Sequence, residues 1–221
     1  MRIDVLIETT PAKSFASAAE WPGLSRAGKT PELALEALAA ALSRYAKVAH
    51  EAGGKFGADL ETADGFDVIE RAPGDSSTAF GVPHVIFEAD RRAVDSAEAG
   101  RLNALVAASW VVFDRIVAGA PVDLRKGPRG GGRDRDKIVR HVVEADGGYE
   151  REIGLRLPVP PPGDGIAVAR FRIAMLEVLR QPSDGSPLAG RKWTTRYAAR
   201  RIAWHALDHA WEIEDRTEPQ P

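Results

Sequence analysis

The hydrophobic pattern of the first ninety residues changes from the period of a strand to that of a helix. Alternation at Ile3, Val5 and Ile7 is typical of a half-buried strand, and a second strand is expected over residues 14–18. Beyond a turn at residues 21–23, apolar residues recur every three or four positions and predict one helix over residues 31–52. Further strand-like runs cover residues 66–71 and 83–88. We therefore expect a small α+β domain over residues 1–90.

After residue 90 the pattern is helical throughout. Apolar residues at helical spacing predict four helices, over about residues 96–117, 133–153, 166–179 and 194–215, each ended by glycine or proline. A Pro-rich connection at residues 158–165 separates the second helix from the third. Four helices joined in this way are typical of a four-helix bundle. The second domain is accordingly expected over residues 91–221.

The amino-acid composition excludes some kinds of active site and argues against some kinds of partner. The 221 residues include 30 Lys and Arg, 32 Asp and Glu and no Cys, for a net charge of −2. Without cysteine there is no thiolate metal site and no cysteine nucleophile, and a near-neutral charge argues against nucleic-acid binding. The start of the chain does not resemble a secretory signal, and the longest apolar stretch, residues 104–113, is about half a membrane span. We expect a cytoplasmic protein that does not bind membranes.

The spacing of the histidines is the feature of the sequence that most clearly predicts a functional site. His205 and His209 are four residues apart on the last predicted helix, so both rings lie on one face and can bind one metal ion. A zinc protease helix has glutamate directly after its first histidine, but Ala206 stands there, which excludes that activity. His141, on the core-facing side of the second predicted helix, is the expected third ligand. Three imidazoles would leave one to three coordination positions open for water or substrate.

Three acidic residues accompany the predicted metal ligands. Asp208 and Glu212 follow His205 by three and seven residues, and Glu144 lies one turn after His141. Each could orient an imidazole by accepting a hydrogen bond from it, as second-layer carboxylates do in metal sites. The alternative is a solvated salt-bridge face in which Asp208 and Glu212 pair with Arg201 and Arg216.

A basic, glycine-rich stretch precedes the helix that carries His141. Residues 124–140 contain seven basic and two acidic side chains. We expect Arg129 and Arg133 to bind the carboxylate or phosphate of a substrate near the metal, since a loop at a helix start can hold an anion. Two alternatives stay open: a solvated loop that caps the helix through Asp134, or contact with nucleic acid.

The segments RHVVEADGGYERE and HALDHAWEIEDR resemble the DinB-like superfamily over residues 96–216. That family is an up-up-down-down four-helix bundle, and its metal-binding histidines match His141, His205 and His209. The resemblance implies a divalent metal, zinc or nickel, and S-transfer that uses a low-molecular-weight thiol such as bacillithiol or mycothiol. Asp146 departs from the family pattern, which has glutamate there.

The stretch WPGLSRAGKTPELALEAL is similar to the HicB-like antitoxin domain, which has a Pro-Gly turn, a strand and a helix that opens with threonine. Proteins of both families often self-associate, which suggests a homodimer. Two hypotheses follow. The first is a metal-dependent thiol S-transferase, or a related transferase or hydrolase, acting on a small molecule. The alternative is a non-catalytic binding or regulatory protein with an antitoxin-like N-terminal domain that contacts a partner and a bundle that is stabilised by metal.

Overall fold

The computed structural model describes residues 2–53, 65–127 and 131–217. A four-stranded sheet and three helices form the N-terminal part, and four longer helices follow. The strands are β1 (Arg2–Thr9), β2 (Ser14–Ala18), β3 (Ser25–Gly28) and β4 (Gly65–Pro73). The helices are α1 (Pro31–Ala40), α2 (Leu42–Ala52), α3 (Ser76–Phe80), α4 (Ser96–Gly119), α5 (Arg135–Glu152), α6 (Gly165–Leu179) and α7 (Thr195–Thr217). Short 3₁₀ helices cover Glu88–Arg91 and Leu188–Gly190.

The sheet is mixed, with strand order β3-β2-β1-β4. β1 pairs antiparallel with β2 and parallel with β4, so that Val5 lies between Ala18 and Val68. All five residues of β2 are buried. The ring of Phe15 on β2 meets Trp204 of α7 edge-on, with 6.1 Å between ring centroids. The sheet therefore packs directly on the last helix of the chain.

The turn between β2 and β3 lies between α2 and α7. Gly23 has φ +94°, and a Cβ placed there would lie 2.7 Å from Cδ1 of Leu207. The hydroxyl of Tyr45 on α2 donates a hydrogen bond of 2.6 Å to the carbonyl oxygen of Pro22. Only glycine combines this backbone conformation with so close an approach to a helix.

Helix α7 is the central element of the fold. Sixteen of its 23 residues are buried, whereas a helix on the outside of a bundle leaves one side to solvent. It packs against α4 and α5 and meets the N-terminal part through several ion pairs. They include the pairs of Arg26 with Asp208, Arg44 with Glu214 and Asp90 with Arg200.

The expected fold class, an α+β domain followed by an up-up-down-down four-helix bundle, is wrong. A single four-helix bundle is not evident in the described part of the chain, and a cleft of about 390 Å³ lies between α4, α5 and α6. Moreover, α4 packs on α2, and the sheet covers α7. The domain boundary at residue 90 stays a prediction; buried residues from both sides of it, such as Val5 and Ile202, belong to one hydrophobic core.

Two local predictions also need correction. Residues 83–88 form no strand, because the carboxylate of Glu8 accepts hydrogen bonds from the backbone amides of His84 and Val85. These are the groups that a strand would present to a neighbouring strand. The single helix expected over residues 31–52 is two helices, α1 and α2, separated by one turn at Ala41.

One helix, α4, is long and apolar enough to cross a bilayer by length and composition alone. It packs on α2 and α7 and contributes Leu102, Leu105 and Trp110 to the buried core. A core helix of a soluble protein has the same length and composition, and the packing of α4 fits that interpretation.

Candidate metal centre

Helices α5 and α7 bring the three histidines together. Helix α7 begins after Thr194, whose hydroxyl accepts a hydrogen bond of 3.3 Å from the amide of Tyr197. From there His205 and His209 project from successive turns on one face. Helix α5 packs along this face and presents His141 between the two rings. The ring centroid of His141 lies 5.0 Å from that of His205 and 4.9 Å from that of His209.

The distances between nitrogen atoms suit one metal ion. One ligand nitrogen from each ring lies within 4.8 Å of the other two. The Nε2 atoms of His141 and His205 are 3.3 Å apart. Two nitrogens bound to one tetrahedral zinc at ~2.05 Å are separated by ~3.4 Å, so this pair already has the required spacing. The Nδ1 atom of His209 is hydrogen-bonded to Glu212, which leaves Nε2 of His209 as the third donor.

The surroundings favour the neutral form of two of these imidazoles. Burial lowers the pKa of His141, and the charges of His209 and Arg133 lower it further. The pKa of His205 lies well below its usual value, first because of burial and then because of His209 and Arg201. A neutral imidazole has the free lone pair that metal binding requires. Both rings are therefore ready to bind a cation at neutral pH.

The three carboxylates predicted around the site differ in what they contact. The carboxylate of Glu212 is 2.8 Å from Nδ1 of His209 and 2.8 Å from Nη1 of Arg216. Glu212 therefore orients an imidazole and also forms a salt bridge, as the two alternatives had each predicted. Asp208 instead pairs with Arg26 at 3.3 Å, and burial raises the pKa of its carboxyl. Glu144 is exposed, and its only effect on His141 is that its negative charge raises the pKa of the imidazole slightly against the other contributions.

The loop before α5 is described only in part. Arg129 lies outside the described residues. Arg133 is exposed, and its charge lowers the pKa of both His141 and His205. In the alternative of a capping loop, Asp134 does occupy the N-cap position of α5, but its carboxylate makes no capping hydrogen bond and instead pairs with Lys126.

Two further side chains at the site were not predicted as functional. The ring of Tyr149 lies edge-on to His205, with centroids 5.6 Å apart. The guanidinium carbon of Arg201 lies 5.1 Å from the centroid of the Tyr149 ring. Tyr149 follows His141 by two helical turns, and Arg201 precedes His205 by one. Their helical spacing from the histidines could therefore have predicted that Tyr149 and Arg201 lie at the site.

The other two described histidines lie elsewhere. His84 pairs with Asp75 at 2.8 Å, and His50 is exposed near the end of α2. Comparison of the chain with protein-family models, curated proteins and solved structures gives no match. The histidine site is therefore the feature of this chain that points to a function.

Proposed function

We propose that this chain is a metal-dependent enzyme that acts on a small molecule at a site formed by His141, His205 and His209. The observation that carries the proposal is the approach of three imidazole nitrogens to within 4.8 Å of one another. Helices α5 and α7 supply these rings from positions 64 residues apart, and the spacing of the nitrogens fits a first-row metal. Nitrogen donors alone favour zinc or nickel over magnesium or calcium.

The described residues supply three ligands, and that number supports catalysis rather than a purely structural metal. Closed structural zinc sites use four protein ligands, whereas catalytic sites use three and keep a position open. His205 and His209 are buried, at 6% and 9% exposure, while His141 is partly exposed. Small molecules would reach the open position from the side of His141.

We further propose that the co-substrate is a low-molecular-weight thiol. The resemblance of both histidine segments to the DinB-like superfamily supports this choice. A divalent cation bound here would stabilise the thiolate form of an incoming thiol, which is the reactive nucleophile. Since the chain has no cysteine, the sulfur must come from a second molecule. A cytoplasmic location, where such thiols stay reduced, is part of the proposal.

Metal content is the first test. Elemental analysis of the purified protein should find about one zinc or nickel ion per chain, and His141→Ala should remove it. His50→Ala is the matched control, since that histidine is exposed on α2, and it should leave the metal content unchanged. Equal metal content in both variants would contradict the proposed site.

Thiol-dependent turnover is the second test. The metal-loaded protein is supplied with bacillithiol, mycothiol or glutathione and with 1-chloro-2,4-dinitrobenzene, whose chloride leaves as the thiolate sulfur bonds to the ring. Turnover above the uncatalysed rate in the wild type, and none in His141→Ala, is the expected result. A metal-loaded protein without thiol binding or turnover would favour the non-catalytic alternative.

A further inference from the structure

Three arginines in the described part of the chain are at least nine-tenths buried, and they differ in their partners. Arg172 pairs with Asp114 at 2.9 Å, and Arg200 pairs with Asp90 at 2.6 Å. Arg201, exposed by 9%, has no carboxylate partner among the described residues, and its Nη1 atom is buried without a hydrogen bond. A buried cation without an anionic partner is costly, and a ligand that binds to it is one way to offset that cost.

Arg201 lies close to the three histidines. On α7, Arg201, His205 and His209 follow one another at intervals of four residues, so they form one row. On α5, His141 and Tyr149 form the facing row. His141 contacts both histidines, Tyr149 meets His205, and Arg201 lies over Tyr149. Arg201 is therefore the next side chain along the α7 row before His205.

Aromatic rings hold the guanidinium in place. Its central carbon is 5.1 Å from the ring centroid of Tyr149 and 4.8 Å from that of Trp204. Cation–π contacts of this kind fix the plane of an arginine but satisfy none of its N–H groups. The indole Nε1 of Trp204, 4% exposed, is a second buried donor without a partner. Two buried side chains near His205 thus have unused hydrogen-bond donors, and one of them carries a positive charge.

We propose that Arg201 binds a carboxylate group of the substrate that reacts at the histidine site. This inference rests on the proposed function and adds the class of substrate: a molecule with a carboxylate a few bonds from the group that reaches the metal. A planar guanidinium whose faces lie against aromatic rings offers its edge, and that edge matches the two oxygens of a carboxylate. Arg201 would then hold the substrate while the histidines hold the metal.

The test uses the cobalt-loaded protein and two probes of the same size. 3-Mercaptopropionate carries a carboxylate, and 3-mercaptopropionamide is its neutral counterpart; both report binding through the thiolate-to-cobalt absorption band. The wild type should bind the acid at least about tenfold more tightly than the amide, as expected for a charge-assisted pair. Arg201→Gln should bind both probes equally, with its affinity for the amide unchanged.

Two further variants make the result specific. Arg196→Gln removes a positive charge from the same helix, where Arg196 pairs with Glu20 and Glu98, and it should keep the preference for the acid. Arg201→Lys keeps the charge but loses the planar fork, and its preference should fall between those of wild type and Arg201→Gln. If Arg201→Gln does not fold, the reduced preference of Arg201→Lys for the acid is the result that tests the proposal.

Three other results of the binding experiment would contradict the role of Arg201 or the metal site itself. A cobalt-loaded Arg201→Gln protein that still prefers the acid tenfold would overturn the inference and leave the metal centre intact. Loss of the preference in Arg133→Gln but not in Arg201→Gln would transfer the role to the loop before α5. A wild-type chain that binds no cobalt would contradict the proposed function itself, and the inference with it.

Discussion

Glu212 holds the ring of His209 through a hydrogen bond of 2.8 Å to Nδ1 and is itself held by Arg216. Removing the charge with Glu212→Gln should weaken metal binding about 10- to 100-fold, as loss of a carboxylate behind a metal-bound histidine usually does. Competition with a chromophoric chelator measures this affinity directly.

Glu214→Gln is the matched control for Glu212→Gln. It makes the same change two residues further along α7, where Glu214 faces Arg44 of α2. The metal affinity of this variant should stay within about twofold of wild type. Equal weakening in both variants would show that the net charge of α7, rather than the bond to His209, sets the affinity.

The ionisation of Asp146 predicts how the free energy of unfolding depends on pH. Its carboxyl is buried, and burial raises its pKa to about 7 even though Arg172 lies 3.5 Å away and opposes the shift. The folded protein therefore binds this proton more tightly than the unfolded chain, where the pKa is near 3.9. This group makes the free energy of unfolding fall as pH rises from about 4 to about 7.

The variant Asp146→Asn should remove that dependence. Relative to wild type it should gain about 3 kcal/mol between pH 4 and pH 7, since the pKa shift spans about three units and each unit corresponds to about 1.4 kcal/mol. Urea unfolding of both proteins at several pH values measures this difference. A difference that stays constant across this range would show that Asp146 is ionised in the folded state at low pH.

Single residues show what spacing can and cannot predict. The spacing of His205 and His209 on one helix placed both on one face, and the structure brings His141 to them. The partner of Asp208 was not predictable, because Arg26 lies 182 positions away in the sequence. Nor was Arg201 recognised as part of the site, since what distinguishes it is a buried Nη1 atom that has no hydrogen bond among the described residues.

At the scale of elements, the turn at Gly23 joins the sheet to α7. Gly23→Ala should destabilise the protein by roughly 2–3 kcal/mol, because the φ of +94° is unfavourable for alanine and the added methyl would approach Leu207. Gly148→Ala, at an exposed position of α5 with open space around it, is the control and should stabilise slightly. Thermal or urea unfolding compares the two, and equal effects would contradict the close packing of the turn on α7.

The long helices were predictable because each carries its own periodic pattern and ends at its own glycine or proline. The predicted strand over residues 83–88 failed for a reason that local sequence does not contain. The buried carboxylate of Glu8, on β1, takes the amide hydrogen bonds of His84 and Val85. Similarly, Glu70 on β4 accepts hydrogen bonds from the amides of Glu88 and Ala89.

At the scale of the whole molecule, a metal held by α5 and α7 would link two distant segments of the chain. Removing it with a chelator should lower Tm by roughly 5–10 °C. Metal at 100 times its dissociation constant contributes about 2.7 kcal/mol, and each kcal/mol shifts the Tm of a chain of this size by about 2–4 °C. Differential scanning calorimetry with and without metal measures the shift.

His141→Ala provides the control for the calorimetric experiment. Its Tm should be the same with and without metal, since the site has lost a ligand. A chelator-induced shift of equal size in this variant would mean that the stabilising metal binds elsewhere.

The arrangement of the helices was the least predictable feature. Four amphipathic helices in succession favour a bundle, but periodicity does not say which element covers each apolar face. The face of α7 that would lie at the surface of a bundle is covered by β2 and by the turn at Gly23. Trp204 and Phe15 meet there although 189 positions separate them, a contact that only the folded chain reveals.

The most direct test of the central claim is a crystal structure of the protein grown with zinc, with anomalous scattering recorded at the zinc edge. The account predicts one strong peak about 2.0–2.1 Å from a nitrogen of His141, of His205 and of His209. A map without a peak between these rings, or rings that point away from one another, would contradict it.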